Sequence, residues 1–170
     1  MKIAIIGYSG SGKSTLARIL GEKYGIEVLH LDKVQFLPNW ELRGKEEKMR
    51  MTEEFLNTHS SWVIDGNYSL LSFDRRMREA DRIVVLLFSR LTCLCRVVRR
   101  NIQHKNKVRP DMADGCIEKL DREFILWILR DGRSREKNER YRRVIDTYPE
   151  KVHVLKNPRQ TEKFLKTSNS

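Results

Sequence analysis

Short runs of apolar residues alternate along the chain with longer stretches in which apolar residues recur every three or four positions. The short runs are typical of buried strands, and the longer stretches are typical of amphipathic helices. The predicted strands span 1–6, 27–31, 61–64, 82–88 and 152–155, and the predicted helices span 12–24, 45–59, 69–80, 91–103, 112–130, 135–147 and 160–166. The stretch 33–44, which contains proline, asparagine and glycine, is predicted to be irregular. Strands that alternate with helices indicate an α/β fold with a parallel sheet covered on both faces.

The chain has 170 residues, which predicts a single domain over 1–170 with a core that needs no disulfide or metal for support. No apolar run approaches the ~20 residues of a membrane span, and the N-terminal run is too short for a signal peptide. The three cysteines, Cys93, Cys95 and Cys116, lack the spacing of zinc or redox motifs. We therefore expect buried free thiols in a cytoplasmic protein that has no membrane partner.

The net charge of +11 is concentrated in one part of the chain. Residues 75–110 carry 11 basic and 2 acidic side chains, whereas residues 1–74 carry 9 basic and 10 acidic ones. Such a basic segment favours a polyanionic partner, which leaves nucleic acid, a membrane surface and a small phosphorylated ligand as alternatives. Charge alone does not choose among them.

Residues 7–14 read Gly-Tyr-Ser-Gly-Ser-Gly-Lys-Ser and fit the phosphate-loop pattern G-x-x-x-x-G-K-[ST] at every fixed position. Glycines let successive backbone N–H groups point inward as an anion-binding nest, and the N-terminus of the following helix adds positive dipole. Lys13 is expected to reach the β- and γ-phosphates of ATP, and the Ser14 hydroxyl to bind Mg²⁺. The predicted nucleotide-binding residues of this loop are Gly7, Ser9, Gly10, Ser11, Gly12, Lys13, Ser14 and Thr15.

Two aspartates follow predicted strands, at the edge of the sheet where ligands bind in parallel α/β proteins. Asp65 is expected to hold Mg²⁺ together with Ser14, and a plain Asp-Gly turn is the alternative. Asp32 is predicted to orient or deprotonate an acceptor hydroxyl, with a helix or turn cap as the alternative. His30 is predicted to be a packed strand residue rather than a base, because nothing in the sequence pairs it with a partner.

The predicted helix 91–103 is strongly basic, and Arg96 and Arg100 lie one turn apart on it with Arg99 beside them. Arginines grip phosphates with two donors and neutralise the charge that develops on a transferred phosphoryl group. Arg96 and Arg100 are therefore predicted to contact the nucleotide and serve catalysis, while a solvated basic face is the alternative. Lys105, Lys107 and Arg109 follow in a loop that could close over the ligand. Trp127 and its leucine neighbours are predicted to be packing residues.

These motifs occur in the order found in adenylate-kinase-like small kinases: the phosphate loop, Leu31-Asp32, the stretch Trp62-Val63-Ile64-Asp65-Gly66-Asn67-Tyr68 and the arginine helix. The chain most resembles the bacterial DNA topology modulation protein (FlaR-like) group, which is related to adenylate kinases. The resemblance covers essentially the whole chain, and the Trp-x-x-Asp-Gly-Asn stretch is its distinctive part.

The resemblance implies a three-layer P-loop sandwich around a five-stranded parallel sheet of order 2-3-1-4-5. It also implies an acceptor-binding insertion over 33–60, a lid over 101–133, an ATP-gripping role for Arg96 and Arg100, and adenine contact near 156–158. The chain departs from adenylate kinases at Asn67-Tyr68-Ser69, because the arginine that holds the acceptor phosphate is missing there. Arg75 or Arg76 could replace it.

We therefore expect an ATP- and Mg²⁺-dependent phosphotransferase that acts on a small acceptor, a nucleoside or nucleotide among the candidates. Lys13, Asp32, Arg96 and Arg100 would be its catalytic residues. One alternative is a nucleotide-regulated, DNA-associated protein that modulates DNA topology, although no DNA-binding motif is evident. Another is a nucleotide-hydrolysing switch without an acceptor.

Overall fold

The computed structural model describes residues 1–103, 112, 115, 116 and 120–167. Its strands are β1 (Lys2–Gly7), β2 (Val28–His30), β3 (Trp62–Asp65), β4 (Arg82–Leu86) and β5 (Val152–Leu155). Its helices are α1 (Lys13–Tyr24), α2 (Leu31–Gln35), α3 (Lys45–Thr58), α4 (Phe73–Glu79), α5 (Arg90–Gln103), α6 (Arg122–Leu129), α7 (Arg135–Thr147) and α8 (Pro158–Thr167). Short 3₁₀ turns occupy Pro38–Trp40 and Asp131–Arg133.

The five strands form one parallel sheet in the order β2-β3-β1-β4-β5, which confirms the predicted fold class and strand order. Alternate residues of β1 point to opposite faces of the sheet, and each face is covered by helices. Ala4 and Ile6 pack toward α2, α3, α4 and α7, while Ile3 and Ile5 pack toward α1, α5, α6 and α8. All four side chains are fully buried, and each buried isoleucine stabilises the fold by about 1.5–3 kcal/mol.

The prediction that 33–44 is irregular was wrong for 33–35 and 38–40, whereas 36, 37 and 41–44 lie outside any helix or strand. Asp32 does not close a strand but lies in the first turn of α2, and a 3₁₀ turn follows at Pro38–Trp40. Asn39 and Trp40 both have positive φ, 62° and 66°. This conformation is rare for a bulky residue and is held here by a bond from the Leu37 N–H to the Glu41 carbonyl, 2.8 Å long.

The prediction of a continuous helix over 112–130 was also wrong. Helix α6 begins only at Arg122, because the Asp121 carboxylate accepts a hydrogen bond from the Phe124 N–H and caps the helix. Among the described residues before it, Gly115 has a φ of 73°, and Met112 and Cys116 are buried outside any helix.

One smaller packing prediction needs correction. Cys95 is exposed rather than buried, although all three cysteines are free thiols. In α3 the buried positions include Lys48, whose ammonium donates to the Gln35 side chain, whereas Met49 is 39% exposed. No helix among the described residues is both long enough and apolar enough to cross a membrane.

Candidate active site

The loop between β1 and α1 has the geometry that the glycine pattern predicts. Gly7 has a φ of 139°, and a Cβ there would lie 2.3 Å from the Leu86 carbonyl oxygen, so no larger residue fits. Gly12 has a φ of 96°, and a Cβ there would lie 2.5 Å from Nη2 of Arg96. Glycine at position 12 therefore lets the guanidinium of Arg96 approach the backbone of the loop.

Lys13 opens α1 and folds back over the loop, where its Nζ donates to the Tyr8 carbonyl at 3.1 Å. Burial lowers the pKa of the Lys13 ammonium below its usual value, and the negative charges of Asp32 and Asp65 oppose that shift. A lysine this deep in the cleft loses hydration and gains from any further anion beside it. It is therefore suited to bind phosphate.

Ser14 and Asp65, the two predicted magnesium ligands, are in contact. Ser14 Oγ donates to Asp65 Oδ2 at 2.9 Å, and Asp65 is only 4% exposed. Among the described residues, no three His, Cys, Asp or Glu side chains cluster as a metal site. One carboxylate and one hydroxyl beside a phosphate loop nevertheless fit Mg²⁺, which takes most of its remaining ligands from phosphates and water.

His30 has a partner that the sequence did not reveal. His30 lies in β2, as predicted, and its Nδ1 lies 2.5 Å from Oδ1 of Asp65. The β2–β3 register places His30 directly opposite Asp65. The resemblance already implied that β2 and β3 are neighbours, and the register was the missing signal.

Asp32 faces the same cleft from the start of α2. Its Oδ1 accepts a hydrogen bond from the Tyr68 hydroxyl at 2.6 Å. Burial, followed by the charge of Asp32, raises the pKa of Tyr68 above its usual value, so the phenol remains a donor.

Three arginines of α5, namely Arg96, Arg99 and Arg100, line the cleft together with the phosphate loop. The Nε of Arg96 is buried and has no hydrogen-bond partner among the described residues, and the guanidinium lies 5.8 Å from the centroid of the Phe88 ring. A buried donor without a partner is costly, and an anion over the loop would satisfy it. Lys105, Lys107 and Arg109 lie outside the described residues.

Arg75 and Arg76 are not placed to hold an acceptor phosphate, which corrects that suggestion. Arg76 is fully buried and donates to the carbonyls of Leu71, Gly66 and Tyr68 at 2.8, 3.2 and 3.1 Å. Arg75 forms ion pairs with Glu53 and Glu79. Both arginines therefore support the structure around the cleft.

One end of the cleft is rich in aromatic rings. Phe36 and Trp40 meet edge to face with centroids 5.3 Å apart, and both line the cleft with Tyr68. Cys116 donates its thiol to the Leu37 carbonyl at 3.4 Å, next to the 3₁₀ turn at Pro38–Trp40. The whole cleft has a volume of about 1490 Å³.

Trp127 is a further residue that sequence reasoning assigned to packing. It is 42% exposed, and its Nε1 donates to Ser9 Oγ in the phosphate loop at 3.0 Å. Lys137 Nζ lies 3.5 Å from the centroid of the indole ring. Residues 156–158 cap α8 through Asn157 and are not among the described residues that line the cleft, so adenine contact there stays a prediction.

No protein-family model matches the chain, and no curated protein matches it in sequence. Solved structures with the same fold include a shikimate kinase from Acinetobacter baumannii in complex with shikimate, with a TM-score of 0.59 and 17% identity over 98% of this chain and 89% of that one. They also include a deoxyadenosine kinase from M. mycoides with dCMP and dCDP bound, with a TM-score of 0.53 and 18% identity over 99% of both chains. A protein from Thermus thermophilus has a TM-score of 0.57 and 19% identity over 99% of this chain and 95% of that chain. The chain therefore has the fold of P-loop small-molecule kinases.

Proposed function

We propose that this protein is an ATP-dependent phosphotransferase that moves the γ-phosphoryl group of ATP to a hydroxyl of a small acceptor. One observation carries the proposal: the contact between Ser14 and Asp65 at the phosphate loop lies in the same cleft as the carboxylate of Asp32. A nucleotide site and a group that can receive a proton therefore share one cavity.

The nucleotide would be held by the backbone of residues 7–14 and by three positive side chains. Lys13 is desolvated beside the loop, Arg96 has a buried donor to offer, and Arg100 lines the same cleft. Phosphoryl transfer needs positioning and charge neutralisation more than covalent help from the protein. These residues supply both at the end of the cleft where the phosphates would lie.

Ser14 and Asp65 would hold Mg²⁺, which, when bound, neutralises the charge of the β- and γ-phosphates. The two side chains already lie within hydrogen-bond distance of each other, so the bond between them would exchange for metal contacts. His30 would keep the carboxylate oriented from its other oxygen.

On the acceptor side, Asp32 would orient the hydroxyl and receive its proton as the oxygen attacks the γ-phosphorus and ADP leaves. Tyr68 donates a hydrogen bond to Asp32 Oδ1 and so helps to orient the carboxylate. The rings of Phe36 and Trp40 favour a flat, partly apolar molecule, so we propose a nucleoside-like acceptor. The M. mycoides deoxyadenosine kinase of the same fold supports this choice.

The test is a screen for ADP formation with MgATP and nucleosides, nucleotides and hydroxylated carboxylic acids as acceptors, with product identification by mass spectrometry. We expect at least one nucleoside to raise ADP formation well above basal hydrolysis, and Lys13→Ala to abolish the increase. Turnover at the basal rate with every acceptor would contradict the kinase and favour a nucleotide-hydrolysing switch.

A direct DNA-associated role, which the FlaR-like resemblance suggests, is the second candidate. It draws on the basic segment 75–110, but several of its arginines are engaged: Arg76 is buried, and Arg96, Arg99 and Arg100 line the cleft. Duplex binding would have to fall steeply with salt and survive Lys13→Ala. Absence of duplex binding at low salt would exclude a direct DNA-associated role.

The free thiols and the proposed use of ATP favour a location in the cytoplasm.

A further inference from the structure

The hydrogen-bond ladder between β1 and β3 ends one step before the phosphate loop. Trp62 N–H donates to the Met1 carbonyl at 3.0 Å and Gly66 N–H donates to the Ile5 carbonyl at 3.1 Å. If the parallel ladder continued, Gly7 would donate to the carbonyl of residue 66 and accept from the N–H of residue 68. Gly66 has a φ of 137°, so the chain turns away at that point.

The side chain of Asn67 replaces the backbone hydrogen bonds that Gly7 would make if the ladder continued. Its Oδ1 accepts from the Gly7 N–H at 3.0 Å, and its Nδ2 donates to the Gly7 carbonyl at 2.7 Å. A carboxamide has the same donor and acceptor groups as a peptide, so both polar groups of Gly7 are satisfied by a single side chain. On the other side of β1, Tyr8 N–H donates to the Leu86 carbonyl at 3.0 Å.

The backbone that carries Asn67 is itself held. The Gly66 carbonyl accepts from Arg76 and the Asn67 carbonyl accepts from Arg140 in α7 at 3.3 Å. Asn67 is half-buried, and the loop around it therefore has little freedom to move away from Gly7. The two hydrogen bonds between the Asn67 side chain and the Gly7 peptide, here called the clamp, are therefore held in a fixed position.

We propose that Asn67 is a positioning residue that holds the Gly7 peptide in the orientation required to bind the nucleotide phosphates. A glycine at positive φ has several accessible backbone conformations, so its N–H and carbonyl need an external restraint. The clamp joins the first residue of the phosphate loop to the segment that carries Asp65, so the two halves of the nucleotide site keep a fixed separation. The inference rests on the proposed nucleotide binding, and Asn67 itself touches no phosphate in it.

The experiment measures the dissociation constant of MgADP by calorimetry for the full chain and for Asn67→Ala, Asn67→Asp and Asn57→Ala. Asn57 also accepts one hydrogen bond, from Arg75 at 2.8 Å, but lies outside the residues that line the cleft. It is therefore the matched control. Asn67→Asp preserves side-chain size and the acceptor for the Gly7 N–H, but it places an oxygen against the Gly7 carbonyl. Exchange of the Gly7 amide proton by NMR reports on the clamp without nucleotide.

We expect both Asn67 variants to weaken MgADP binding about tenfold or more, with faster exchange of the Gly7 amide in Asn67→Ala. Asn57→Ala should bind MgADP like the unchanged chain. Equal dissociation constants for the unchanged chain and the two Asn67 variants would overturn the inference but leave the kinase intact. If the unchanged chain binds MgADP but phosphorylates no acceptor, the kinase fails, and the clamp is judged by the same binding data. If the unchanged chain does not bind MgADP, both fail.

Discussion

His30 and Ser14 hold the Asp65 carboxylate from opposite ends. His30 Nδ1 lies 2.5 Å from Oδ1, and Ser14 Oγ donates to Oδ2 at 2.9 Å. Partners of this kind around a ligating carboxylate set its orientation before the metal arrives. Because Asp65 is a proposed Mg²⁺ ligand, loss of the His30 contact is expected to weaken Mg²⁺ binding.

Replacing His30 with leucine should raise the Mg²⁺ concentration needed for half-maximal turnover by about 10- to 100-fold, because the carboxylate loses one of its two restraints. The measurement is a Mg²⁺ titration at fixed ATP, and calorimetric binding of MgADP gives a readout independent of turnover. His59→Leu is the control, since His59 stacks on Phe55 away from the cleft. An unchanged Mg²⁺ requirement in His30→Leu would show that Ser14 alone orients Asp65.

Arg96→Met should lower turnover by about 100- to 1000-fold, because the proposed donor to the developing phosphoryl charge is lost. The same change should leave the melting temperature equal or higher, because it removes the buried Nε that has no partner. Arg78→Met, on α4 and outside the cleft lining, should change neither quantity. A fall in stability with full activity would assign Arg96 to packing on Phe88 instead.

Asp32→Asn should reduce kcat by about 100-fold or more while the dissociation constant for MgADP stays unchanged, because a carboxamide cannot accept the acceptor proton. Tyr68→Phe should have a smaller effect on kcat, since it removes only the bond that orients Asp32. Rapid-quench kinetics and calorimetry separate the two steps. Loss of nucleotide affinity in Asp32→Asn would instead indicate that Asp32 mainly balances the charge of Lys13.

Arg76→Met should destabilise the fold by about 3 kcal/mol or more, because three carbonyls lose their donor in a fully buried site. Arg75→Met is the matched control from the next position, and its partly exposed ion pairs should contribute no more than about 1 kcal/mol. Urea unfolding followed by circular dichroism gives both values. Equal destabilisation by the two variants would mean that water replaces the Arg76 donor.

The strands and the phosphate loop could be predicted because both depend on local pattern. Apolar runs identify β1 to β5, and glycines with Lys13 and Ser14 identify the loop. The strand order does not follow from local pattern and came from the family resemblance. The contacts of His30 and Asn67 could not be predicted, because they depend on the register between neighbouring strands and on the residue at which a hydrogen-bond ladder stops.

Other differences between the predicted and the observed elements arise from single residues, whose effect a pattern of apolar and polar positions does not reveal. Asp121 caps α6, so this helix begins at Arg122 rather than at position 112, where the apolar periodicity predicts its start. Leu31 is fully buried as the first residue of α2, and Asp32 therefore lies in a helix turn rather than at a strand end. Arg76 resembles a surface charge in sequence, and only the three carbonyls around it explain its burial.

Residues 65–68 are four consecutive positions, and each has a different task. Asp65 contacts Ser14, Gly66 turns the chain, Asn67 pairs with Gly7, and Tyr68 reaches Asp32. Because these tasks follow one another without a spacer, inserting or deleting one residue here would move at least two of them out of register together. The number of residues between Asp65 and Tyr68 is therefore fixed by these contacts. A natural variant of this chain can tolerate a substitution in this segment more easily than an insertion or a deletion.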